Sequence, residues 1–252
     1  MSVSFDPAFF VAFLLSTTRF AAWLSISPPF AGIVPAKVRA GLAVALGLAV
    51  TPQLAANPEL PTTALPLAAA VLFQAAVGLA LGFLVYVIFQ AVSAAGSSID
   101  MFAGLTASML YDPTTRSAAS PVGRLYQMLG MVVLFLSGGH LLLISGLVRS
   151  FDAAPVSGFR FDRMAELATE GVGSFLLATV QIAAPLLGAL FVTELLLGLA
   201  SRAAPQLNIM VVGFGVKSIV LVMLASAAFP LVVLAIPDLT SRSLELMWAL
   251  VR

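Results

Sequence analysis

The chain has 252 residues, 61% of them hydrophobic and 9% charged, and a net charge of +1. A soluble domain carries about 25% charged residues, so this chain cannot solvate the surface of a free cytosolic enzyme. Disorder and nucleic-acid binding are excluded too, because no basic patch or acidic tail stands out, and a mean hydropathy of +1.09 puts the chain in the membrane class.

There is no cysteine, and the one histidine is His140. Disulfides, thiolate metal sites, a cysteine nucleophile and paired-histidine metal sites are thereby excluded, and no cofactor is expected. Residues 1–7 hold Asp6 and neither lysine nor arginine. A cleavable signal peptide needs a positive start and a small-residue cleavage site, so the first apolar stretch is expected to stay on the mature protein.

A helix needs about 20 apolar residues to cross the hydrocarbon core, so uncharged runs locate the predicted elements. Residues 8–33 are apolar apart from Arg19, with Ser27-Pro28-Pro29 near their end. Residues 40–58 form an uncharged run of 19, closed by Asn57-Pro58 and Pro61. Residues 60–99 form an uncharged run of 40, with Pro66 as the opening of a helix. Asp112-Pro113, followed by Thr114, Thr115 and Ser117, reads as a turn or loop. Residues 125–148 are an uncharged run of 24 that contains His140. The most polar stretch, 149–170, is expected to hold a short surface helix starting near Phe161. Residues 171–193 are an uncharged run of 23 ended by Glu194, Ala204-Pro205-Gln206 separates the last two helical regions, and Pro237-Asp238 ends a final run of 20. The prediction is all-α: a polytopic membrane protein of about six long apolar helices, near 8–33, 40–56, 66–99, 125–148, 171–201 and 207–237, in a single integral membrane domain over 1–252.

Two features disturb a plain six-span picture. A straight helix over 66–99 reaches roughly 50 Å against a core of about 30 Å, so it must tilt steeply, break or leave the bilayer. With six spans, five basic residues fall on one side (Arg149, Arg160, Arg163, Arg242, Arg252) and five on the other (Lys37, Arg39, Arg116, Arg124, Arg202). Orientation normally follows an excess, so a tie points to an odd number of spans, re-entrant segments or placement set by partners.

Arg19, Glu194 and Lys217 lie within or beside apolar segments, and Arg202 lies between two of them. A charge facing lipid costs at least about 2.5–3.5 kcal/mol at mid-bilayer. These residues therefore form either a polar track or pairs between helices or subunits, for example Glu194 with Arg202 or Lys217. Pairing is favoured, because a transport relay needs titratable acids and Glu194 is the clear candidate. His140 has no nucleophile or metal partner in view and reads as a packing or helix-end residue. Gly41, Gly47, Gly78, Gly82, Gly188 and Gly198 recur among many alanines, a density that suits close helix packing within the chain or against neighbours.

Specific residues then carry a resemblance. After Arg19 come Pro28-Pro29-Phe30, Val34-Pro35-Ala36-Lys37-Val38-Arg39 and Thr51-Pro52. Next are Gly96-Ser97-Ser98-Ile99-Asp100 with Gly104, Tyr111-Asp112-Pro113-Thr114, Leu134-Phe135, Gly139-His140 and Ser150-Phe151 with Pro155. Last are Ala184-Pro185, Glu194, the run from Gly198 through Ser201-Arg202-Ala203-Ala204-Pro205-Gln206-Leu207-Asn208, and Val216-Lys217. In this order the chain resembles the FliR/SpaR/YscT family of type III secretion export-gate proteins over nearly its whole length, and it looks closer to the flagellar branch than to the injectisome branch.

The resemblance implies bent helical hairpins and a non-enzymatic subunit of a flagellar export gate in the bacterial inner membrane, within the basal body. It implies assembly with FliP-like and FliQ-like subunits, association with FlhB-like and FlhA-like proteins, and passage of unfolded protein substrates. It also implies a channel plug loop, here Leu110, Tyr111, Asp112, Pro113, Thr114, Thr115, Arg116 and Ser117. The residues alone favour an ordinary surface loop there. Competing functions are a virulence injectisome gate subunit, a small-molecule secondary transporter built on a charge relay, and an intramembrane enzyme, the last disfavoured by the missing nucleophile, metal and acid/base sets.

Overall fold

A computed structural model describes residues 7–31, 34–57, 60–61, 63–105, 120–153, 163–204, 206 and 208–251. The described residues are all-α. The helices are α1 (Pro7–Ile26), α2 (Pro28–Ala31), α3 (Ala36–Ala55), α4 (Ala64–Ala103), α5 (Pro121–Leu136), α6 (Gly139–Ala153), α7 (Met164–Ala203) and α8 (Ile209–Val251). Among the described residues, α1, α3, α4 and α7 are each long and apolar enough to cross a membrane, and up to six spans result if α5 with α6, and the two parts of α8, each count as one bent span. This is the build of a polytopic membrane protein.

Several element boundaries differ from the sequence expectation, each for a local reason. The first region ends at Ile26 and a separate short helix starts at Pro28, because proline cannot extend the preceding helix. The run 125–148 is two helices, not one. Gly138 takes φ +72°, the left-handed conformation that glycine adopts most readily after a helix end. Its carbonyl then accepts from the Leu141 N–H at 2.9 Å, which starts α6. Phe161, where a short surface helix was expected to start, lies outside the described residues; from Met164 onward the chain is α7, with Glu166 in its first turn, where an acidic side chain suits the helix dipole. Pro237 does not end the last helix: α8 continues through Pro230 and Pro237 to Val251, as apolar helices can when neighbouring groups take up the freed carbonyls.

The chain divides into two compact units. The first comprises Met1–Ile88, Gly138–Val172 and Thr240–Arg252. In it α1 packs antiparallel to α3: Ser16 donates to the Gly47 carbonyl at 3.1 Å, and Arg39, at the other end of α3, reaches the Ser25 carbonyl at 3.3 Å. The first part of α4 runs parallel to α1, with Gly78 against the Arg19 carbonyl and Ala22, and Gly82 against Ile26 and Trp23. A Cβ at either glycine would collide with α1, so these positions set the helix separation. Phe20, Trp23, Leu24, Leu81, Leu84 and Leu143 fill the core, and Phe20 stacks near Phe151 with ring centroids 5.5 Å apart.

The second unit comprises Phe89–Ser137 and Gly173–Leu239. The last part of α4 packs antiparallel to α5, with Gly96 against Gly123 and Val92 against Gly130. Helices α7 and α8 also run antiparallel: Leu197 meets Gly213, Glu194 meets Lys217, and Leu186 lines a hollow with Leu224 and Ala228. Ile99, Leu134, Ile182, Leu190, Val232 and Ile236 are buried.

Candidate functional site: polar contacts between apolar helices

Arg19 is fully buried at the centre of the first unit. Its Nε donates to Gln74 Oε1 on α4 at 2.6 Å. Its Nη1 donates to the Ser150 carbonyl and hydroxyl on α6, both at 3.0 Å. The guanidinium lies 4.0 Å above the Phe151 ring. An isolated buried charge is strongly unfavourable, and this one is offset by charge-assisted hydrogen bonds worth about 1.5–3 kcal/mol each and by a cation–π contact. The geometry is that of a rivet through α1, α4 and α6. Gln74 and Ser150 are neither acids nor bases near neutral pH, so these groups position helices and do not pass protons.

In the second unit Lys217 on α8 forms an ion pair with Glu194 on α7. Of the two partners the sequence offered Glu194, the structure brings up Lys217. The Glu194 side chain stays 61% exposed and Lys217 19%, so the pair sits on a helix face. Pairing there cancels net charge on an otherwise apolar surface, where either ion alone would be disfavoured. Arg202 is exposed in the last turn of α7, next to the partial negative charge of the helix C-terminus. His140 is the second residue of α6, at a helix start.

The expected plug loop, Leu110 to Ser117, lies outside the described residues, but the helix ends flanking it are described. Asp100, in the last turn of α4, is fully buried. Its Oδ2 accepts from the Ser120 hydroxyl, from the Val122 N–H at 2.9 Å and from the Gly123 N–H at 3.3 Å. Ser120 caps α5, with Pro121 in the first turn, an arrangement proline favours. Sequence reasoning quoted Asp100 only within the resemblance and gave it no role. The signal was present: a lone acid ends the 40-residue uncharged run, and Ser120-Pro121 reads as a helix start.

Exposed apolar side chains extend far along the long helices. On α4 they run from Leu65 through Leu72 and Leu79 to Tyr86, a rise of about 32 Å, and resume only at Met101 and Phe102 near the far end. The whole 40-residue helix rises about 60 Å, and a core of about 30 Å would need a tilt of about 60° to cover it, beyond the roughly 0–40° that spanning helices adopt. Among the described residues, no three His, Cys, Asp or Glu side chains are grouped to hold a metal ion.

Comparison with known proteins gives consistent matches. Residues 10–243 match the family described as bacterial export proteins, family 1. The chain is 33% identical over 205 residues to the flagellar biosynthetic protein FliR of Escherichia coli (strain K12), covering 79% of this chain and 76% of that one. It is 29% identical over 243 residues to FliR of Bacillus subtilis (strain 168), covering 94% and 93%. It is 34% identical over 145 residues to the Yop proteins translocation protein T of Yersinia pestis, covering 56% and 55%.

Proposed function

The chain belongs to family 1 of the bacterial export proteins, and on that premise we propose that it is a non-enzymatic subunit of the flagellar type III protein-export gate. It forms part of the channel that passes unfolded flagellar proteins across the inner membrane. The observation that carries this reading is the alignment with a flagellar relative over 94% of this chain and 93% of the other, whereas the injectisome relative aligns over 56% and 55%.

The physics of the long helices supports an assembled state. Apolar surface that outruns the bilayer must be covered by protein, which suits FliP-like and FliQ-like neighbours packed against bent helical hairpins in the basal body. FlhB-like and FlhA-like proteins adjoin the gate in this reading. Residues 110–117 act as the channel plug, a role suited to a short polar, turn-rich stretch between apolar helices.

The test is expression with and without FliP-like and FliQ-like partners, followed by sizing of the detergent extract. A large, defined complex is expected only with the partners. A monodisperse homo-oligomer that transports a small solute by itself overturns the reading in favour of a secondary transporter. Restored motility in a flagellated strain lacking its own relative, without restored injectisome secretion in the matching strain, selects the flagellar branch. For the plug, deletion of residues 111–117 leaves the complex intact and makes the closed gate leak small solutes; an unchanged leak removes that role.

A further inference from the structure

Asp100 stands where its own helix does not favour it. A carboxylate in the last turn of a helix meets the partial negative charge of the C-terminus, whereas the same group is stabilising at a helix N-terminus. The Asp100 carboxylate is at both places at once: it ends α4 and meets the start of α5 through Ser120, Val122 and Gly123. Amides in the first turn of a helix have no acceptor within it. The Val122 N–H therefore takes its acceptor from another helix, and the Gly123 N–H is divided between the Ser120 hydroxyl oxygen at 2.9 Å and Asp100 Oδ2 at 3.3 Å.

A second, steric feature serves the same contact. Gly96 lies one turn before Asp100 on α4, and a Cβ there would fall 2.5 Å from the Gly123 Cα. Glycine at 96 and 123 lets the two backbones touch, and that separation is what brings Asp100 within reach of the α5 amides. Gly104, at φ +79°, turns the chain directly after α4 ends. Asp100 Oδ1 has no hydrogen-bond partner among the described residues. One oxygen carries all the described donors, so the contact is a local fastening and not a fully satisfied core network.

We propose that Asp100 is a positioning residue whose charge fastens the start of α5 to the last turn of α4, the two helices that flank residues 106–119 in the sequence. The fastening stands on these contacts alone; its effect on gating rests on the plug reading above.

The test uses the full chain co-purified with its gate partners, and reads amide hydrogen exchange by mass spectrometry together with small-solute leak. In Asp100→Ala, exchange at residues 120–124 is expected to rise about tenfold, the usual size of a lost cap, with the middle of α5 unchanged. Asp100→Asn keeps the shape and an acceptor oxygen without the charge, and is expected to fall between; it also serves if Asp100→Ala does not accumulate. Unchanged exchange at 120–124 in both variants overturns the fastening. Raised exchange with raised leak supports its consequence for gating. Raised exchange without leak, where deletion of 111–117 does leak, overturns that consequence. Raised exchange where the deletion does not leak upholds the fastening and overturns the plug reading.

Discussion

The helices packed around α1 and helix α7 use glycine in opposite ways. In the first, Gly47, Gly78 and Gly82 are pressed against side chains and backbone of α1. In the second, Gly188 and Gly198 on α7 are exposed and a Cβ at either would meet nothing within 4 Å. Their charges differ in the same sense: Arg19 is sealed inside three helices, whereas Glu194 and Lys217 pair on an outer face. The helices around α1 have spent these three glycines on their own packing. The α7–α8 pair presents small and apolar residues outward, as a surface built to be covered by something else.

That contrast can be broken by substitution. The largest effect is expected from Gly78→Leu, whose side chain would run into the Arg19 carbonyl, a backbone atom that cannot swing aside. The chain should lose its monodisperse peak in detergent, and a normal elution profile would show that α1 and α4 are not closely apposed. Next is Arg19→Ala, which leaves Gln74 and Ser150 without their donor and empties a large buried volume. Stability should fall by about 3 kcal/mol, read as a lower thermal midpoint. Arg19→Lys should not rescue it, since an ammonium cannot reproduce the guanidinium fork. Glu194→Lys sets two cations side by side and should lower complex yield, and adding Lys217→Glu should restore it. The effect should be smaller than that of Arg19→Ala, because the pair lies on a helix face and not in the core, and failure of the double variant would show that the pairing is not what matters. The smallest effect on the chain itself is expected from Gly188→Leu. The isolated protein should lose no stability, since leucine favours the helix over glycine by up to about 1 kcal/mol, while yield of the complex with FliP-like and FliQ-like partners falls. A destabilised isolated chain would erase the distinction between the glycines packed on α1 and those on α7.

Much of the fold was legible because hydrophobicity is a local signal. The uncharged run of 40 residues is the 40-residue helix α4 displaced by four positions. The break at Gly138 was hidden for the same reason that the long helices were visible: the arms on both sides are uncharged, so a charge-based reading runs straight through a glycine turn. Pro237 misled in the other direction, because a proline signal that ends helices in water is tolerated in an apolar setting. The polar contacts were less readable. Arg19 stood out as an anomaly, but its partners Gln74 and Ser150 lie 55 and 131 residues away, and no spacing rule connects them. Glu194 was flagged with two candidate partners, and choosing between them needed the antiparallel register of α7 and α8. Asp100 was missed because the donors it meets lie 20 to 23 residues away, at the start of the next helix, and no spacing rule connects them.

The exposed row along α4 also bears on the life of the protein before assembly. Leu65 is 82% and Leu72 72% exposed, and Phe102 is exposed at the other end of α4, about 55 Å away along the helix against a core of about 30 Å. A newly made copy with no neighbours has no solvent that suits the whole of that face: membrane at one end leaves oil against water at the other. Such a copy is the kind of substrate that membrane quality control degrades. The subunit's cellular abundance should therefore be set by the supply of its neighbours more than by its own rate of synthesis.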